Sequence, residues 1–196
     1  MPTLTTKLEA VNSMLGHIGE SPVNTIADTN ALPVSVALAT VILDETSREV
    51  QSEGWHFNTE NNINLSPVNN TITLDEDILE IDAIDTSIDV TQRGTTLYDR
   101  KNNTESFTSD ITVTLIRYLE WDKMPEVARR YITLKASRIF QTRLVGSREL
   151  EQLIARDEFN ARARLINQDG VTSDRTIFDN YDAVLRIGIN RNYDIY

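Results

Sequence analysis

The sequence predicts an α+β chain. Four helices in two antiparallel pairs form a core, a small antiparallel β domain is inserted between the pairs, and an extended arm ends the chain. Three observations lead there. Apolar residues recur at helical spacing in two stretches before Gly54 and two after Met124. Between Trp55 and Leu115 the period shifts toward strand-like alternation. After Gly170 alternation returns in one long run. The boundaries that follow are 1–54 and 119–170 for a discontinuous helical core, 55–118 for the inserted β domain and 171–196 for the arm.

The first helix opens on Thr6-Lys7-Leu8-Glu9, which has the spacing of a capping box. Leu8, Val11, Leu15 and Ile18 repeat at helical intervals, and Gly19 closes it. Pro22 makes a turn of the residues before it. Asp28-Thr29-Asn30 offers capping side chains for a second helix from about Pro33 to Glu53, ended by Gly54. Val34, Leu38, Val41, Ile42 and Glu45 are spaced for one face of it. Strand candidates follow: Trp55-His56-Phe57 with Ile63 and Leu65, then Ile72-Thr73-Leu74, Leu79 to Ile84, and Thr95 to Tyr98. Gly94 and Lys101-Asn102-Asn103 read as turns. Ile111, Val113 and Leu115 alternate with Thr112 and Thr114 in the clearest strand.

The longest helix runs from Met124 to Gly146. Pro125 suits its first position, where a missing N–H costs nothing, and Glu126 sits on the favourable side of the dipole. Gly146 suits the left-handed residue that closes it. Ala128, Ile132, Ala136 and Ile139 share a face flanked by Tyr131 and Phe140; Arg130, Ser137 and Gln141 fall opposite. Ser147 then caps a fourth helix with Leu150, Leu153, Ile154, Ala161 and Leu165 as its apolar stripe, and Asp169-Gly170 ends it. So short a link implies an antiparallel pair. From Tyr181 to Ile195 odd positions carry Tyr181, Leu185, Ile187, Ile189, Tyr193 and Ile195. Such a run either adds as a strand to a partner or folds back on this chain's own β domain.

Composition narrows the function. Forty percent hydrophobic residues in a 196-residue chain support a real core. With no cysteine there is no disulfide scaffold, Cys-based zinc site or Cys nucleophile. The N-terminus lacks the pattern of a signal peptide, and the longest apolar stretch, Val34 to Leu43, is too short to span a bilayer. The expectation is a soluble chain made in a cytoplasm and bound to no membrane. A net charge of −11 disfavours gripping phosphate backbones but suits a surface that DNA must pass without sticking. Fifteen of the 19 basic residues are Arg, the better residue for planar ion pairs at interfaces.

Chemistry is hard to find. His17 and His56 read as structural, no phosphate loop or metal-ligand spacing occurs, and no catalytic, cofactor or metal residue is assigned. The acidic run Asp75-Glu76-Asp77, Glu80, Asp82 and Asp85 lacks the pattern of a calcium loop and reads as a charged turn and strand edge. Trp55 and Trp121 flank the β segment as packing anchors.

Four motifs in order resemble a known family. They are Ala10-Val11-Asn12 with Leu15, Ile18-Gly19-Glu20 and Pro22-Val23; Arg48, Gln51, Gly54-Trp55 and Phe57-Asn58; Tyr98-Asp99-Arg100 with Phe107, Asp110 to Val113 and Ile116-Arg117; and Met124-Pro125-Glu126 with Lys135 to Arg138, Phe140 and Gly146. Over roughly residues 8 to 165 the chain resembles tail tubular protein A, the portal-to-nozzle adaptor of short-tailed phages of the Autographivirus type. The resemblance implies a structural virion protein: a dodecameric ring under the portal, with the nozzle (tubular protein B) below, tail fibres nearby, and a channel that passes viral DNA without specific binding. It implies assembly in the host cytoplasm, a place in the virion tail, and a C-terminal arm that reaches the portal. Arg130 and Arg138 are then candidates for pairing with the adjacent subunit or lining the channel. The alternative is a tail-associated polysaccharide or peptidoglycan hydrolase, which needs two carboxylates across a cleft.

Overall fold

A computed structural model of the chain describes residues 4–27 and 32–172. The arm residues Tyr181 to Ile195, and the capping candidates Asp28 to Asn30, lie outside the described residues. Four helices and five strands run α1 (Lys7–His17), α2 (Val34–Gln51), β1 (Thr59–Leu65), β2 (Ile78–Ala83), β3 (Val90–Arg93), β4 (Thr96–Asp99), β5 (Ile111–Arg117), α3 (Glu126–Leu144) and α4 (Arg148–Thr172). The chain is α+β, as its sequence predicts.

Helix α1 starts as expected. Thr6 Oγ1 accepts from Glu9 N–H while the Glu9 carboxylate accepts from Thr6 N–H. Ala10, Val11, Met14 and Leu15 are buried, and Gly19 takes a positive φ of 79° just past the end. Helix α2 differs from its predicted face. Pro33 is its N-cap and makes no side-chain cap. Val34 and Val41 are 85% and 52% exposed, whereas Val36, Ala39, Leu43 and Val50 are buried beside Ile42. The inward face also carries Thr46, Ser47 and Gln51. Thr46 can be buried because its hydroxyl donates to Ile42 O one turn back.

Helix α3 is the hub, with α1, α2 and α4 all packed against it. Pro125 is the residue just before it rather than its first turn, and Gly146 has φ +65° beyond its end. Its predicted apolar face is buried except for Ile139, which is half-buried. Of the three residues expected on the opposite, polar face, Ser137 and Gln141 are fully buried and only Arg130 is exposed. A helix surrounded on three sides has little solvent face to offer. Ser137 satisfies its hydroxyl on Thr133 O, and Gln141 donates across the following turn to Ser147 O.

Helix α4 lies against α3, with Ile154, Ala161 and Leu165 buried. Leu150 and Leu153, expected in that stripe, are 37% and 55% exposed. The helix does not stop at Asp169-Gly170 but continues to Thr172. A glycine costs a helix about 1 kcal/mol. Here the Asp169 carboxylate accepts a 2.7 Å bond from His56 N–H, so tertiary contact offsets that penalty.

Between the helices β5 is the central strand of an antiparallel sheet in the order β1-β5-β2, and β3-β4 form a separate hairpin around Gly94. Val113 and Leu115, on the inward side of β5, are fully buried. Trp55 to Phe57 is not strand: His56–Asn58 form a 3-10 turn, and β1 begins after it. Ile72 and Leu74 are buried, and their bonds to Leu97 N–H and Thr95 O make one isolated bridge, Thr73 to Thr96, rather than a full strand. Strand β3, too short and polar to announce itself, was not anticipated. Buried apolar residues form two clusters, one among the helices with Trp55 and Trp121 at its margin, the other within the β segment.

Candidate functional site

The chain crosses between the two clusters twice, outward at Gln51 to Asn58 and back at Arg117 to Trp121, and both crossings are knotted by buried amides. Gln51 is fully buried. Its Nε2 donates to Ser47 Oγ and to Leu119 O, each at 3.0 Å, and its Oε1 accepts from Leu119 N–H at 2.6 Å. Asn58 mirrors it: Nδ2 donates to Gln51 O and Arg117 O, and Oδ1 accepts from Trp55 N–H. Each amide thus ties the outgoing crossing to the returning one. Gly54 between them holds φ +71°, a conformation that favours glycine, and a Cβ there would stand 2.7 Å from Ile116 Cδ1, which would have to move aside. The indoles close the margin, Trp55 Nε1 donating to Val50 O and Trp121 Nε1 to Thr5 O.

The chain's beginning is drawn into the same region. Arg129 is 3% exposed and meets three carbonyls, those of Met124, Thr5 and Asp122. Glu126 accepts from both the N–H and the hydroxyl of Thr5. Arg129 is a basic residue that sequence reasoning missed; an Arg beside Arg130 at a helix start reads as surface charge until its carbonyl partners are seen.

The acidic run divides between two surroundings: Glu80 and Asp82 line an open groove of about 610 Å³ with Asp89 and Arg100. Asp75 and Asp77 converge with Glu60 on the guanidinium of Arg117, at 2.8 to 3.1 Å. Burial pulls that guanidinium down. Hydrogen bonds to Glu60 and Asp75 and the charge of Asp77 outweigh it and hold Arg117 above its ordinary value. At the end of β4, Asp99 accepts from Asn102 N–H and side chain and from Lys101 N–H, bonds that hold its carboxyl below the usual range. Among the described residues no group of three or more His, Asp or Glu side chains could hold a metal, and no helix is long and apolar enough to cross a membrane.

The two arginines singled out on α3 have different surroundings. Arg138 pairs with Glu158 and Glu151 of α4 in its own chain, and the Glu158 hydrogen bond holds it above its ordinary value. Arg130 is exposed and, among the described residues, has no partner for its charge. It lines a groove of about 480 Å³ between α3 and α4 with Leu134, Asp157, Asn160 and Arg164. A second groove of about 410 Å³ runs beside Phe159 over Tyr131, Lys135 and Arg138. Burial first, then the Glu53 carboxylate, push the Tyr131 phenol up.

What stands out is therefore a clamped joint, intramolecular ion pairs and exposed helix faces. These are the features of a structural component that works through its surfaces. The family model for tail tubular proteins matches residues 8–175, and the chain belongs to that family. It is a structural protein of a bacteriophage tail. A search of curated proteins found no match.

Proposed function

We propose that the chain is the adaptor of a short phage tail: a closed ring, twelve copies by the family resemblance, joining the portal above to the tubular protein B nozzle below, with tail fibres nearby. The match to tail tubular proteins over residues 8–175 carries this reading. Its central opening passes the viral DNA during ejection. A chain of net charge −11 does not neutralise phosphates, so DNA slides by without a bound state. Residues 55–118 act as an inserted unit, and the joint at Gln51 and Asn58 keeps that unit in register with the helical core. Arg130, with no partner in its own described chain, pairs across to a neighbouring subunit. The alternating residues Tyr181, Leu185, Ile187, Ile189, Tyr193 and Ile195 add to the portal as an edge strand. Assembly takes place in the host cytoplasm.

This reading does not call on hydrolysis: Asp75 and Asp77 converge on Arg117, and Glu80, Asp82 and Asp89 line an open groove in which Arg100 pairs with Asp89. The experiment is co-assembly with purified portal, the full chain against one ending at Thr172, read by electron microscopy. The full chain adds a ring beneath the portal and the shortened chain does not. Rings from both would move portal docking to the folded core. Rings from neither would overturn the adaptor reading.

A further inference from the structure

Two helices expose large apolar side chains outside the faces they bury. On α2 these are Val34 and Val41, 85% and 52% exposed; on α4 they are Phe159 and Ile166, 72% and 52% exposed. Members of each pair stand seven residues apart, two helical turns, and so share one face. Scattered apolar residues on a surface need no explanation, but two ordered stripes on separate helices do. We propose that the stripe of α2 packs on the stripe of α4 in the next copy, and that this contact is the lateral interface of the ring; the proposal rests on the ring reading above.

Three observations favour a second copy as the occupant. First, one chain carries both halves of the contact on different elements. A ring needs such a heterologous, head-to-tail arrangement, whereas one self-complementary patch would stop at a dimer. Second, the charges match at one point of the contact, Glu45, while the exposed Arg48 further along the same face of α2 gains no partner from it. Arg156 lies one turn before Phe159, and Arg148 lies on the same side of α4; neither has a partner among the described residues. Glu45 lies one turn after Val41 and is held only by a loose 3.9 Å pair with Arg143. Bringing α2 onto α4 sets Glu45 near arginines that otherwise face water. Third, the groove beside Phe159 is open along α4, with Ala155 and Tyr131 set among charged side chains such as Lys135 and Arg162, and gives a neighbouring helix a seat.

The chain has no cysteine, so introduced thiols are the only ones it carries, and cross-linked dimers of it are told from portal adducts by mass. Variants V41C and F159C change exposed side chains. Each is co-assembled with purified portal, alone and as an equal mixture, and treated with a short bismaleimide. The mixture gives covalent dimers and nothing larger, and neither variant alone cross-links. Dimers from F159C alone would mean α4 meets α4 and would overturn the proposal. Rings visible by microscopy without cross-linking in the mixture would also overturn it while leaving the ring intact. If even the unaltered chain forms no ring, the adaptor reading has failed rather than this interface alone. Phe159→Asp is the second probe: it abolishes rings without moving the thermal melt, and rings in undiminished number would refute the interface.

Discussion

Replacing Gln51 by Leu removes one amide and leaves nearly the same volume, so no large cavity is made. What it strips is the partner of two backbone groups. Leu119 N–H loses its 2.6 Å acceptor and Leu119 C=O loses its 3.0 Å donor. An orphaned buried group costs about 1–3 kcal/mol. Leu119 is half-buried, so each group falls toward the lower end, and the sum is about 2–4 kcal/mol. For a chain of this size that lowers Tm by roughly 5–15 °C. Ser47 also loses a donor to its hydroxyl, which adds less. Two measurements check the reasoning. Thermal and urea unfolding give the global loss, and hydrogen exchange at the Leu119 amide reports the joint itself, with exchange faster than elsewhere in the core. Ser47→Ala is the control, at under about 1 kcal/mol. A Gln51→Leu chain within about 0.5 kcal/mol of the original would refute the claim that this amide closes the joint.

Ile132→Asp buries an unpaired carboxylate at a site with no exposure and prevents folding at ordinary temperature, read as loss of a cooperative melt. Arg138→Ala strands Glu158, whose side chain is only 13% exposed, and destabilises by about 1–3 kcal/mol; adding Glu158→Gln recovers part of that loss, and chemical denaturation of the set reads the coupling. Asp99 is held below its ordinary value of 3.8, so its support for the 99–104 turn is complete above that pH and is lost as pH falls through the lower folded value. Amide exchange at Lys101 and Asn102 reads this directly: Asp99→Ala, which removes the acceptor, should release both at neutral pH, and an unchanged pair would contradict the assignment.

Elements whose signals are local were legible. The Thr6–Glu9 box placed the start of α1, Pro125 and Gly146 bracketed α3, and the Ile111 to Leu115 alternation identified the strand at the centre of the sheet. Errors came where a neighbour overrode a local preference. Gly170 would stop an isolated helix, yet the Asp169 bond to His56 carries α4 past it. Val34 and Val41 have the periodicity of a core face, but α2 turns inward Ser47 and Gln51, whose polar atoms the joint uses, and Thr46, whose hydroxyl is satisfied on Ile42 O. Ser137 and Gln141 have the spacing of a wet face and are dry, since periodicity cannot say how many partners surround a helix. For the joint one signal was available: Gln51, Gly54-Trp55 and Asn58 stand together among the residues that carry the family resemblance, without any indication of what they bond.

Strands β1 and β5 are sequential in neither chain order nor direction, yet Thr59 stands opposite Ile116, so the segment's two ends leave the sheet side by side. A pull that separates the helices from the sheet therefore loads two covalent strands in parallel. It neither peels the ladder between them rung by rung nor slides one past the other. The hydrogen bonds of the ladder are spared, and the amides of Gln51 and Asn58 bind the two strands to each other where they leave the sheet. Such a connection resists stretch along that axis far better than its folding stability alone would indicate.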